Sequence, residues 1–140
     1  MTLISYDEKN LEIVSKLIME NLTPDLLPKK WIERNSTNPT FGHCHNATGC
    51  LYKIFGHKNL KMYRAKDDEG IWHWWCLDLN GKRIDLTADQ YYSTGRKPPY
   101  EDGQKASLLG WDYKKRVEKL TNEVRKGLDI DFIDIEDDDE

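Results

Sequence analysis

The chain has 140 residues, enough for one hydrophobic core without disulfide or metal support. Its formal net charge of −4 gathers in the acidic stretch Asp129, Asp131, Asp134 and Glu136 to Glu140; the remainder is near neutral or slightly basic, so nucleic-acid binding is not indicated. An odd number of cysteines, three, no leader-like segment over Met1 to Lys9 and no apolar run near the ~20 residues of a membrane span predict a soluble, cytoplasmic protein with reduced thiols and no membrane partner.

Asp7 to Leu22 reads as a helix, because Leu11, Val14, Ile18 and Leu22, with Leu17 beside them, fall on one stripe and Thr23-Pro24 stops it. A short helix after Pro28 carries Trp31 and Ile32 over the core. Residues 35–42 are rich in turn formers and read as a loop that delivers the chain to a helix from about His43 to Phe55. Ala47, Leu51, Ile54 and Phe55 form that helix's buried side, and Gly56 is its stop. Leu60 to Ala65 is a strand, Asp67 to Gly70 a hairpin turn, and Ile71 to Leu79 the strongest strand in the sequence. Asn80-Gly81 is a turn pair favoured between antiparallel strands, so Lys82 to Leu86 returns beside it.

From Ala88 to Gly110 the chain is polar and broken by Gly and Pro, anchored by Tyr91, Tyr92, Tyr100 and Leu108-Leu109. Asp112 to Leu128 reads as a terminal helix with Val117, Leu120 and Val124 inward and Asp112 as its N-cap. Residues 1–128 are expected to form one α+β domain. Residues 129–140 form an acidic tail whose final part is solvated and disordered.

Three side chains in this order can perform nucleophilic chemistry: Cys44 at a helix start, His73 in an aromatic strand, and Asp85 after the Asn80-Gly81 turn. A thiol must lose its proton to attack, and a helix N-terminus with a nearby imidazole favours the thiolate. A carboxylate then orients the imidazole. Cys50 and Cys76 read as structural, since Cys50 lies well inside the helix and Cys76 points to the strand face opposite His73. On that strand Trp72 and Trp74 share one face, and His73 and Trp75 the other. His43 and His45 flank the cysteine and can contact substrate or hold the thiolate. A zinc site built on them, with Cys50 or His57, lacks the two separated ligand pairs zinc sites usually show, so no metal and no cofactor is expected. Asp89 and Gln90 either cap a turn or touch substrate.

Gly42-His43-Cys44, then His73-Trp74-Trp75 and Asp85-Leu86-Thr87, is a pattern that resembles the papain-like/transglutaminase-like superfamily. The longer string running on through Ala88-Asp89-Gln90-Tyr91 is similar to the YunG-like family of small bacterial and phage proteins, over roughly residues 28–120. The resemblance implies a papain-like α+β core, with a catalytic helix packed on a small antiparallel sheet and flanked by N- and C-terminal helices. It implies Cys44 as nucleophile, His73 as general base and acid, and Asp85 as the group fixing the ring. It further implies Asn38 as a side-chain amide at the oxyanion, beside the Cys44 backbone N–H, and Trp75 as the group excluding water from the His–Asp pair. The family name carries no established activity.

Two functions stand open on this reading. One is a cysteine-dependent acyl-transfer enzyme (peptidase, deamidase or transamidase) working through a thioester on a protein, peptide or other amide-bearing substrate. The alternative is a non-catalytic phage or bacterial binding protein on the same scaffold that sequesters a protein or nucleotide ligand, for example a host or phage partner. Its contact surface would be Tyr91, Tyr92 and Tyr100 with Arg96 and Lys97.

Overall fold

A computed structural model describes residues 2–108, 110–128 and 135–137. The described residues form an α+β arrangement of five α-helices with a four-stranded antiparallel sheet and a separate two-stranded pairing. In chain order the elements are β1 (Thr2–Ile4), α1 (Glu8–Glu20), α2 (Lys29–Thr37), α3 (Cys44–Phe55), β2 (Leu60–Lys66), β3 (Trp72–Asp78), β4 (Arg83–Ile84), α4 (Asp89–Tyr92), β5 (Gln104–Ala106), α5 (Trp111–Gly127) and β6 (Ile135–Asp137). Short 3₁₀ turns occupy Pro24–Leu26 and Tyr100–Asp102.

Local chemistry sets most of these boundaries. Asp7 caps α1, its carboxylate accepting the Asn10 N–H at 2.7 Å, and Leu11, Val14 and Ile18 form the buried stripe. The helix α3 closes at Gly56, whose φ of 88° turns the chain away while its N–H bonds back to the Tyr52 carbonyl. Between β3 and β4, Asp78 Oδ1 accepts the Asn80 and Lys82 N–H groups at 2.9 Å each, and Gly81 takes the left-handed position.

The sheet order is β4-β3-β2-β5, with all neighbours antiparallel. Its register sets Arg64 opposite Trp74, Lys66 opposite Trp72 and Cys76 opposite Ile84. The central helix α3 packs against β3 and β2 on one side and α5 on the other, with α1 and β1 also touching it. Ten of its twelve residues are buried. The core gathers Val14, Ile18, Cys50, Leu51, Ile54, Phe55, Leu60, Cys76 and Leu120, with Val117 and Val124 fully buried on α5. At roughly 1.5–3 kcal/mol per fully buried large aliphatic side chain, this helix-on-sheet contact dominates the favourable side of folding.

The structure departs from the sequence reading at several places. Helix α5 begins at Trp111 after Gly110, which makes no side-chain cap bond, so Asp112 lies inside the helix and is not its N-cap. The returning strand is two residues long, and Asp85 sits just past its end. Ile32 does not cover the core, being 39% exposed. The polar segment before α5 holds the edge strand β5, paired with β2. Residues 135–137, within the stretch read from sequence as an acidic tail, pair antiparallel with β1. The expected disorder of the tail's end concerns residues 138–140, which lie outside the described residues. Among the described residues, no helix is long and apolar enough to cross a membrane.

Candidate active site

Cys44 is the first residue of α3, where the opening N–H groups have no carbonyl four residues back to bond. Gly42 makes that placement possible. Its φ is 85°, and a Cβ there would lie 2.9 Å from Leu27 and 3.1 Å from Trp31, so the chain enters the helix through a gap only glycine fits. The Cys44 thiol donates to the Trp72 carbonyl at 3.6 Å, which holds the sulfur against the strand that carries His73.

His73 is fully buried, and its Nε2 lies 2.5 Å from Asp85 Oδ2. Nε2 is committed to the carboxylate, Nδ1 lies 3.4 Å from the Gln90 amide, and the Cys44 sulfur is near enough to act on the ring's charge. Burial works to lower the ring's pKa. The Asp85 carboxylate and the Cys44 sulfur outweigh it and push His73 up to about 9. The ring is therefore an imidazolium at neutral pH, suited to pair with a thiolate and to deliver a proton.

Asp85 is fixed from both of its oxygens. Oδ1 accepts the Thr87 N–H at 3.2 Å, as carboxylates two residues before a turn N–H commonly do. Oδ2 takes His73 and also the Tyr100 hydroxyl, which donates at 2.7 Å. Burial and the neighbouring Asp85 charge raise the Tyr100 pKa, so the hydroxyl stays protonated and donating. Arg83 lies 3.6 Å over the Tyr100 ring. Trp75 stacks beside His73 at 5.7 Å and meets Tyr100 edge-on at 5.1 Å, so these two rings, with Tyr91 edge-on to the imidazole at 4.8 Å, wall the His–Asp pair from water.

The remaining sequence candidates divide. Gln90 is buried next to His73, and its amide also donates to Thr87 Oγ1 at 3.2 Å. Asn38 spends an amide hydrogen on the Gln90 backbone carbonyl at 2.9 Å, tying the loop before α3 to the segment after Asp85. His43 is fully buried beside Asn46, with 3.4 Å between Nδ1 and the amide. His45 lies edge-on between Trp74 and Tyr113. Burial pulls both rings down to about 4, so neither carries charge at neutral pH, and His73 is the cation beside the sulfur. Cys50 and Cys76 are fully buried; burial pushes the Cys50 thiol up to about 12 and raises Cys76 as well. No two cysteines are bonded. Among the described residues, no group of three His, Cys, Asp or Glu side chains is placed to hold a metal.

Sequence reasoning missed Tyr100 as part of the site, grouping it with a surface loop. Tyr91 is corrected too. It is 2% exposed, with its hydroxyl on Asp67, so it is internal and no part of the contact surface drawn from sequence, and Arg96 is engaged by Asp67, Asp68 and Glu69. Tyr92 alone of its three tyrosines is well exposed, at 56%.

A cavity of about 310 Å³ is lined in part by Cys44, which is 7% exposed. Gly42, Trp31, Trp72, Trp74 and Tyr113 line it as well. His73 and Asp85 do not line it, so among these three side chains Cys44 is the one at the cavity.

The family described as YunG protein matches residues 13–129, which takes in every residue of this site. No curated protein and no solved structure matches the chain.

Proposed function

We propose that the chain, which belongs to the YunG family, is a cysteine-dependent acyl-transfer enzyme with a papain-like core and a Cys44-His73-Asp85 triad. The observation that supports this reading is the gathering of the three side chains: a ring bonded to Asp85 through Nε2, with Cys44 near enough to act on its charge and lining a cavity.

The Cys44 thiolate attacks the carbonyl carbon of an amide or ester, forming a C–S bond and placing negative charge on the oxygen. The free N–H groups at the start of α3 face that charge. The C–N or C–O bond then breaks, and the leaving group takes its proton from the His73 imidazolium, giving a thioester and a neutral ring. Water or an amine next attacks the thioester. His73 accepts the attacking group's proton, the C–S bond breaks, and the thiolate–imidazolium pair returns. Asp85 holds the ring in the tautomer that faces the sulfur. Three unbridged thiols suit a reducing, cytoplasmic setting.

The test is acylation by p-nitrophenyl acetate followed by intact-mass and peptide analysis. A single acetyl adduct on Cys44, released by hydroxylamine and lost in Cys44→Ala, is expected. An adduct that forms equally on Cys50 or Cys76, or persists in Cys44→Ala, overturns the enzyme reading and favours a binding protein on this scaffold.

A further inference from the structure

The cavity beside Cys44 is walled by aromatic rings and surrounded by positive charge. Trp31, Trp72, Trp74 and Tyr113 supply flat apolar faces. Lys30 and Arg116 line the same space, and no Asp or Glu does among the described residues. Two further cations stand over its tryptophans: the Arg64 guanidinium lies 4.0 Å from the Trp72 ring and 5.4 Å from Trp74, and Lys66 lies 5.4 Å from Trp72. The sheet register explains this, since Arg64 and Lys66 sit directly across from Trp74 and Trp72 on the neighbouring strand. None of these four cations has a carboxylate partner among the described residues, whereas Arg34, Arg96 and Lys119 elsewhere are each paired.

Four cations therefore gather at this cavity in a chain whose net charge is −4. A buried neighbour registers them: after burial, the charges of Arg116 and Arg64 are what hold the His45 ring neutral. Cations placed over tryptophan faces also make those faces attractive to a flat ligand whose own charge is negative.

We propose that the acyl part of the substrate is a flat, aromatic or apolar group bearing a carboxylate, seated in this cavity with its carbonyl on Cys44 and its anion against Arg116 and Lys30. This rests on the acyl-transfer reading, because Cys44 lines the cavity. The leaving group departs on the other side of the sulfur, toward His73, so the cavity reads only the acyl half.

Two measurements separate the ligand class from the catalytic reading. In Cys44→Ala, tryptophan emission is titrated with 2-naphthoate and with the uncharged 2-naphthamide, which have the same ring and differ in charge. Naphthoate should bind several-fold more tightly, with the preference shrinking as salt rises. It should fall by about three- to fivefold in Arg116→Gln or Lys30→Gln, the range of one exposed charge pair. Lys114→Gln, on the same helix and outside the cavity, should leave it unchanged. In the unmutated chain, 4-(bromomethyl)benzoate should alkylate Cys44 faster than the matching benzamide, after normalisation to a free thiol.

Equal binding of naphthoate and naphthamide, or a preference that survives both substitutions, overturns the anionic ligand class whatever the cysteine does. Preferred naphthoate binding with Cys44 no more reactive than Cys50 and Cys76 instead overturns the acyl-transfer reading and leaves an anion-binding cavity.

Discussion

Tyr100 and His73 meet on the same oxygen: the phenol hydroxyl at 2.7 Å and the imidazole Nε2 at 2.5 Å both reach Asp85 Oδ2. The carboxylate is thereby held by a group that does not titrate near neutral pH, and the His73–Asp85 pair is braced from outside. Tyr100→Phe keeps the ring against Trp75 and under Arg83 and removes only the hydroxyl. Turnover should drop about two- to tenfold, the worth of one hydrogen bond, while the melting temperature changes little. A positioning role also shifts the His73 titration midpoint; an unmoved NMR midpoint with unchanged turnover would reduce Tyr100 to packing.

Of the three thiols, only Cys44 should react with iodoacetamide in the folded protein. It lines the cavity, whereas Cys50 and Cys76 are sealed in the core with raised pKa values. A difference on the order of a hundredfold or more follows from the raised pKa values and closed surroundings of the two core thiols. Peptide mapping after timed alkylation reads it directly, and comparable modification of Cys50 counts against the assignment.

Histidines should shape the pH dependence of stability from both sides. His73 is raised to about 9, so its contribution is complete below its unfolded pKa near 6.5 and is lost as pH rises from there through 9. His43 and His45 are lowered to about 4, so theirs is complete above 6.5 and is lost as pH falls toward 4. Urea midpoints should therefore peak between pH 6 and 7. The alkaline decline should flatten in Cys44→Ala, because the sulfur is one of the causes raising His73. An undiminished alkaline decline in that variant would show that the sulfur and the ring do not share charge.

Gly49 lies where α3 and α5 touch. A Cβ there would meet Val117 Cγ2 at 2.7 Å and Leu108 Cδ2 at 2.8 Å, and Val117 is a fully buried, stiff side chain. Gly49→Ala should therefore destabilise the fold by about 1–3 kcal/mol despite alanine's better helix propensity. Denaturant unfolding measures the change, and a gain in stability would mean that the two helices separate readily.

The legible parts of this chain were those whose signal is local. The stripe in α1, the apolar run of α3 and the aromatic strand β3 each repeat with their element's own period, and the turn at Asn80-Gly81 sets β4 beside β3. That alone brings His73 near Asp85. Tyr100 was not legible, because it reaches Asp85 from a Pro- and Gly-broken segment whose path is set by long-range pairing of β5 with β2. The three-residue strands β1, β5 and β6 carry too few residues for an alternating pattern to stand out. Asp112 was misplaced for a related reason: a capping residue type occurs one position after the helix has already begun.

The β5 edge of the sheet has a leverage out of proportion to its size. β5 begins two residues after the 3₁₀ turn that carries Tyr100, and it grips β2 along only Gln104, Lys105 and Ala106. Peeling that edge away lifts the phenol from the carboxylate while α3 and the core remain packed. Competence at the cysteine is thus the first property to fade on gentle heating, well before the helices melt, and amide exchange at those three positions is its gauge.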